Sequence, residues 1–333
     1  MTDVTADVKD KRHNFLGNPH DLFLPSIHRV LSYFRNHPLL AFLRVGYWLS
    51  FLGTWTFDPA LAVPLVMATV LYSWGAWTVT AHHPDSPWPG RTTVFFQSGV
   101  ALLWVSLLGP VGAFDDTFFW AHMVQHVIMV MVAAPLLLLG APILLILRVS
   151  PPRIRRRWVV PVLKSRLAYS LTNPVTTWLI LALVIVGTHF SPFYEFALEH
   201  QGVHRLVEHP LYLGAALLYF YPLLPGNLTT RRVSPAVRMI SLALMMVPET
   251  MTGFFIYASP YVMYPFYARL SRPFGPGALA DQQLGGALMW AGSMAIDSVW
   301  IALATHEWLR SEARKGQRLD PVLSRELRAQ PDA

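Results

Sequence analysis

The chain has 333 residues, 53% of them hydrophobic and 14% charged, which is too apolar for a soluble domain of this size and makes a lipid bilayer the fitting solvent. Its net charge of +7 does not point to nucleic acid, because the basic residues lie between hydrophobic segments and at the ends, as in loops facing anionic lipid, with no groove-reading motif beside them. Cysteine is absent, which excludes disulfides and thiolate chemistry and leaves His and Met for any soft metal.

Residues 1–38 are polar, carry Lys9, Lys11, Arg12, Arg29 and Arg35, and lack the short apolar core and cleavage site of a secretory signal, so insertion falls to the membrane helices themselves. The stretch 39–57 is interrupted by Arg44 and rich in aromatics, which suits a helix lying in the interface at least as well as a span. Long apolar runs then predict helices near 60–81, 92–113, 118–147, 174–190, 203–224, 236–259 and 283–308. The expected fold is an all-α, polytopic transmembrane helical bundle of about seven spans, with 39–57 as an extra interfacial or spanning helix. The division is an N-terminal basic tail and interfacial segment at 1–57, a bundle at 58–309 and a basic tail at 310–333.

Orientation follows from the arginines, since short cytoplasmic loops carry the basic excess. The loop after the third helix holds Arg148, Arg153, Arg155, Arg156, Arg157, Lys164 and Arg166, while the loop before it holds Asp115 and Asp116 and no basic residue. The third helix therefore runs from outside to inside. Arg231, Arg232 and Arg238, and the tail with Arg310, Arg314, Lys315, Arg318, Arg325 and Arg328, fall inside under the same assignment. Seven spans put the basic N-terminus outside, which is the argument for an eighth. His82 and His83 fall on the cytoplasmic side as ordinary loop residues.

With that orientation, five histidines share the outer leaflet. His122 and His126 open the third helix, His189 closes the fourth, and His204 and His209 begin the fifth. His122 and His126 are four apart, so they share a helix face, and Met129 continues the stripe. Such a pair can hold one metal ion, and a His/Met set without Cys fits copper best; equally, a His pair near a helix end can be plain interfacial polarity. A helix from Pro210 to Leu224 alone would be too short to span, so the fifth helix starts near Val203 and bends at Pro210. Glu208 then lies one turn from His204, placed to orient an imidazole or merely to solvate a frayed helix start. Pro135 and Pro142 should kink the third helix and open backbone carbonyls to neighbours. Glu249 in the sixth helix and Asp297 in the seventh are ionisable residues at a depth where partners are needed, as a proton path, a transient metal site or hydrogen-bonded acids. Met245, Met246 and Met251 nearby read as packing before copper chemistry.

The segment HMVQHVIMVMVAAPLLLLGAP at 122–142, with WTFDP at 55–59, the pair Glu208–His209 and DQQLGGALMW at 281–290, resembles the CtaG-like cytochrome c oxidase assembly factors of bacteria, from about Trp55 to Trp308. The resemblance implies an inner (plasma) membrane protein that is not an enzyme. It implies a role in maturing a haem-copper oxidase, with oxidase subunits and anionic lipids as partners and copper handled at an outward-facing site. The matching positions are His122, His126, His204, His209, Asp281 and Gln282, the last two at the outer start of the seventh helix. One departure is that Ala134 precedes a single Pro135 where the family pattern has two prolines. Two other readings stand beside it: a haem-binding electron-transfer or haem-handling protein with axial histidines, and a small-ion transporter using Glu249 and Asp297, for which no inverted repeat is visible.

Overall fold

A computed structural model describes residues 52–224, 233–272 and 274–329, with side chains as far as Arg314. The segment 39–51, Arg231, Arg232 and the side chains of the basic tail beyond Arg314 lie outside the described residues. Two compact units are distinguished: 1–53 with 272–277, and 54–271 with 278–333. Within the first, Arg272 Nη1 donates to the Pro276 carbonyl at 3.1 Å.

The second unit is all-helical among its described residues. Its helices are α1 (Pro59–His82), α2 (Gly90–Leu107), α3 (Phe119–Val149), α4 (152–163), α5 (Arg166–Leu171), α6 (Pro174–His189), α7 (Pro192–Glu199), α8 (201–220), α9 (Pro235–Ala258), α10 (Pro265–Arg269) and α11 (278–329). Local sequence sets many of the starts. Asp58, Ser165, Asn173, Ser191 and Ser234 each cap a helix N-terminus with a side-chain oxygen, and Pro occupies the first turn of α1, α6, α7 and α9.

Around an apolar core, several helices turn apolar faces outward while acids and histidines are buried. On α1, Val63, Val66, Met67, Val70, Trp74 and Trp77 are exposed at helical spacing, as are Val175, Leu179, Leu183 and Val186 on α6. His122, Gln125, Glu208, Glu249, Asp281 and Asp297 are buried. Water would not stabilise that arrangement, whereas hydrocarbon would.

Among the described residues, four helices are long and apolar enough to cross a membrane: α1, α3, α9 and α11; α6 and α7, bent by 70°, make a fifth if the pair is one span. The sequence reading expected seven. The predicted spans at 92–113 and 203–224 correspond to α2 and α8, which do not pass on their own. α2 opens on Arg91, Thr92 and Thr93 and carries Gln97, and α8 has His204, Arg205, Glu208 and His209 in its first turns. Contacts nevertheless show α1, α2, α3, α6, α8, α9 and α11 alternating in direction. Asp58 before α1 pairs with Arg205 of α8 at 2.7 Å. Thr56 N meets the Leu108 carbonyl after α2, and Asp281 of α11 meets the start of α3. At the opposite end, Arg148 of α3 donates to the Ser86 carbonyl at 2.6 Å, which puts His82 and His83 near that basic end.

The prolines of α3 act as carbonyl openers. Helix 119–139 widens to an i→i+5 turn at Ile128–Ala133, just before Pro135, and the Met131 carbonyl, which the missing Pro135 N–H would have used, accepts instead from Trp300 Nε1 at 2.9 Å. At Gly140–Ala141 the helix breaks, with Ala141 in the left-handed region at φ 49°, and Pro142 starts the final segment. The buried Gly140 carbonyl accepts from Tyr72 Oη at 2.7 Å. In α8 the same wide turn, His204–Glu208, precedes Pro210.

Candidate functional site

Three helix ends and one loop deliver the polar cluster. α3 contributes His122 and His126, α6 His189, α8 His204, Glu208 and His209, and the 108–118 loop Asp115; all are buried. The wide turn at 204–208 carries His204 and Glu208, an instance of the irregular helical turns that accompany functional positions.

A hydrogen-bonded frame holds the cluster. Gln125 Nε2 donates to Asp115 Oδ2 at 2.7 Å and to the Ser106 carbonyl at 2.9 Å. With its amide hydrogens so used, Gln125 Oε1 is an acceptor, and His209 Nε2 donates to it at 3.1 Å. His204 sits between two acids, Nδ1 2.7 Å from Glu208 Oε2 and Nε2 3.2 Å from Asp115 Oδ2. Burial alone would push the Asp115 carboxyl up, but the His204 hydrogen bond and the His204, His209 and His122 imidazoles together hold it below the usual carboxylate range. Tyr267 Oη donates to the Asp115 backbone carbonyl at 2.7 Å, fixing the loop.

Inside this frame lies a set of unsatisfied donors and lone pairs. The rings of His122 and His126 have centroids 4.3 Å apart, and all four of their nitrogens are buried without a hydrogen bond. Glu208 Oε1 approaches His122 Nε2 at 3.4 Å and His126 Nε2 at 3.7 Å, distances of an ion pair without hydrogen-bond alignment. His189 donates from Nδ1 to the Ile185 carbonyl at 2.8 Å, leaving Nε2 as a buried lone pair with no partner; His209 Nδ1 is in the same condition. One nitrogen anchored and the other free is how metal-ligating histidines are oriented. Among the described residues, two groups have ligand atoms within 4.8 Å of one another: His122, His126 and Glu208; and Asp115, His204 and His209. The second has its His204 nitrogens and Asp115 carboxyl engaged in the frame, so the first is the better ligand set.

The remaining sequence-predicted residues are placed elsewhere. Asp281 accepts from Phe119 N at 2.9 Å and Trp120 N at 3.0 Å, capping α3 from α11. Gln282 accepts from Met263 N at 2.7 Å and donates to the Tyr261 carbonyl at 3.1 Å, pinning the loop after α9. Gly285 leaves room for Phe119, and Gly286 for the α9 backbone: a Cβ there would fall 2.4 Å from Phe119 Cδ1 and 2.6 Å from Tyr257 N, respectively. The 281–290 motif is thus, in these contacts, the seam of α11 with α3 and α9. Met129 is fully buried but does not line the cavity beside the cluster; Met123, Met131 and Met289 do, with His126, His189 and Glu249. Glu249 of α9 and Asp297 of α11 are both buried. Asp115 and Gln125, which sequence reasoning did not count among site residues, are central. An acid before a histidine helix in a loop without basic residues was the available signal for Asp115; Gln125, between the two histidines, offered none.

A family model described as cytochrome c oxidase caa3 assembly factor matches residues 70–311. Uncharacterized proteins of Mycobacterium bovis and Mycobacterium tuberculosis are each 28% identical over 279 residues, covering 81% of this chain and 41% of theirs. One of Mycobacterium leprae is 24% identical over 280 residues, covering 81% and 42%. The chain thus spans about two fifths of the length of the curated relatives it matches. No solved structure matches it.

Proposed function

Since the chain belongs to the cytochrome c oxidase caa3 assembly factor family, we propose that it serves oxidase maturation as a multi-pass protein of the bacterial plasma membrane, holding copper for transfer to a client oxidase subunit. The alternating α1, α2, α3, α6, α8, α9 and α11 form seven spans in this reading, with the histidine end outside. His122, His126 and Glu208 hold the ion, and His204, Asp115 and Gln125 keep Glu208 and His209 in position.

The observation that carries the reading is the pair of fully unbonded, buried imidazoles facing one carboxyl oxygen. Leaving so many polar atoms unsatisfied costs about 1–3 kcal/mol each, a cost that a bound cation offsets. Nitrogen ligands with thioethers close by and no thiolate favour copper over harder metals. A haem needs a slot for a whole macrocycle, whereas the cavity beside the cluster measures about 30 Å³, enough for an ion or one water.

Metal analysis of the purified full chain tests this. Copper is expected to copurify or to be taken up as copper(I) in competition with a chromogenic chelator. The double variant His122→Ala, His126→Ala should fold, lose that copper, and leave the cell's oxidase copper-deficient. Wild-type copper content and normal oxidase in that strain would refute the assignment.

A further inference from the structure

The cavity below the cluster is unlike the other apolar clefts of the bundle. Its wall contains two imidazoles, His126 and His189, three thioethers, Met123, Met131 and Met289, and the Glu249 carboxyl. Every one of these side chains belongs to a buried residue. The His189 Nε2 atom and both Glu249 carboxyl oxygens have no hydrogen-bond partner, and both residues belong to the wall of a cavity whose surface is otherwise apolar. At about 30 Å³ it admits one small occupant. A water there would find few good acceptors among thioethers, whereas a soft monovalent cation would find thioether and imidazole ligands. Two of the thioethers, Met131 and Met289, ride on wide turns, Ile128–Ala133 and Leu288–Gly292. His126 belongs to both this wall and the outer triad.

We propose that this cavity is a second, inner site for copper(I), which the ion enters from the His122–His126–Glu208 triad by ligand exchange at the shared His126 ring. No electron is transferred in the step; the His122 and Glu208 ligands are exchanged for thioethers and His189. The inference rests on the copper reading of the outer triad. It adds a location and a selectivity: the outer site accepts zinc or copper, and the inner one copper(I) alone.

The test is the full chain in detergent, loaded anaerobically with copper(I) alone or with zinc alone. Two copper equivalents are expected, with sulfur scatterers in the copper X-ray absorption spectrum, against one zinc equivalent bound by nitrogen and oxygen only. Met131→Leu with Met289→Leu should lose one copper equivalent and the sulfur signal. His122→Ala should remove the other equivalent and keep the sulfur signal. Copper bound to the wild type by nitrogen and oxygen alone would overturn the inner site while leaving the triad standing, and this result needs no variant to fold. A wild type that binds no copper would overturn both.

Discussion

Asp115 accepts from Gln125 and His204 while buried among imidazoles, so its carboxyl is a hub on which the orientation of His209 and Glu208 depends. Because its folded-state value is depressed below the unfolded value of about 3.9, its contribution to stability is complete above that pH and is lost as pH falls through the folded value. Asp115→Asn is expected to lower the thermal midpoint in detergent at neutral pH by the equivalent of about 1–3 kcal/mol. The gap to wild type should close below about pH 4; a gap that persists unchanged in acid would show that the carboxyl carries no such linkage. Ala141, the one non-glycine described residue at positive φ, calls for the opposite change. Ala141→Gly should raise the midpoint by the equivalent of about 1 kcal/mol, since glycine occupies that region without the Cβ penalty.

At the scale of helices, the wide turns and the glycine seam set how closely α3, α9 and α11 approach. Trp300→Phe removes the donor to the Met131 carbonyl and strands a backbone acceptor beside Pro135, at an expected cost of about 1–3 kcal/mol. Gly286→Ala places a methyl group against Tyr257 N and the Gly253 carbonyl, at 2.6 and 2.8 Å. These are backbone atoms that cannot yield without parting α9 from α11, at about 1–3 kcal/mol for the overpacking. Gly214→Ala on α8, where nothing lies within 4 Å, is the control and should be neutral or stabilising by up to about 1 kcal/mol. Thermal unfolding of the three variants side by side separates the explanations: a seam without importance would make Gly286→Ala and Gly214→Ala alike.

For the whole molecule, the outward apolar faces and inward acids are what a hydrocarbon solvent favours, and the arginine asymmetry predicts the histidine end outside. The absence of native cysteine makes the orientation easy to test. Cysteine introduced at exposed His200, beside the cluster end, should react with a membrane-impermeant maleimide in intact spheroplasts. Arg156→Cys, exposed at the basic end, should react only after permeabilisation. The reverse pattern would put the histidines on the cytoplasmic side and remove their access to an outward-facing client centre.

What the amino-acid sequence determined by itself was one-dimensional. Apolar runs and helix periodicity placed most long-helix bounds to within a few residues, apart from the end of α2 and both ends of α11; arginine counts paired the helix ends; and the spacing of four between His122 and His126 put two imidazoles on one face. Pro135 and Pro142 also announced where α3 would open its backbone. The span number was less legible, because the polar residues that build the site dilute the apolar character of α2 and α8. Only the tertiary structure decided which polar groups meet, since helical spacing says which way a side chain faces on its own helix and nothing about the neighbour it finds there. Asp281 caps a helix 162 positions away in sequence, and His209 finds Gln125 across 84. The thioethers beside His126 are those of Met123, Met131 and Met289, not the stripe or neighbour positions Met129, Met245, Met246 and Met251. Those partnerships follow from how close the helices lie and how they are rotated, which wide turns and glycine contacts set in three dimensions.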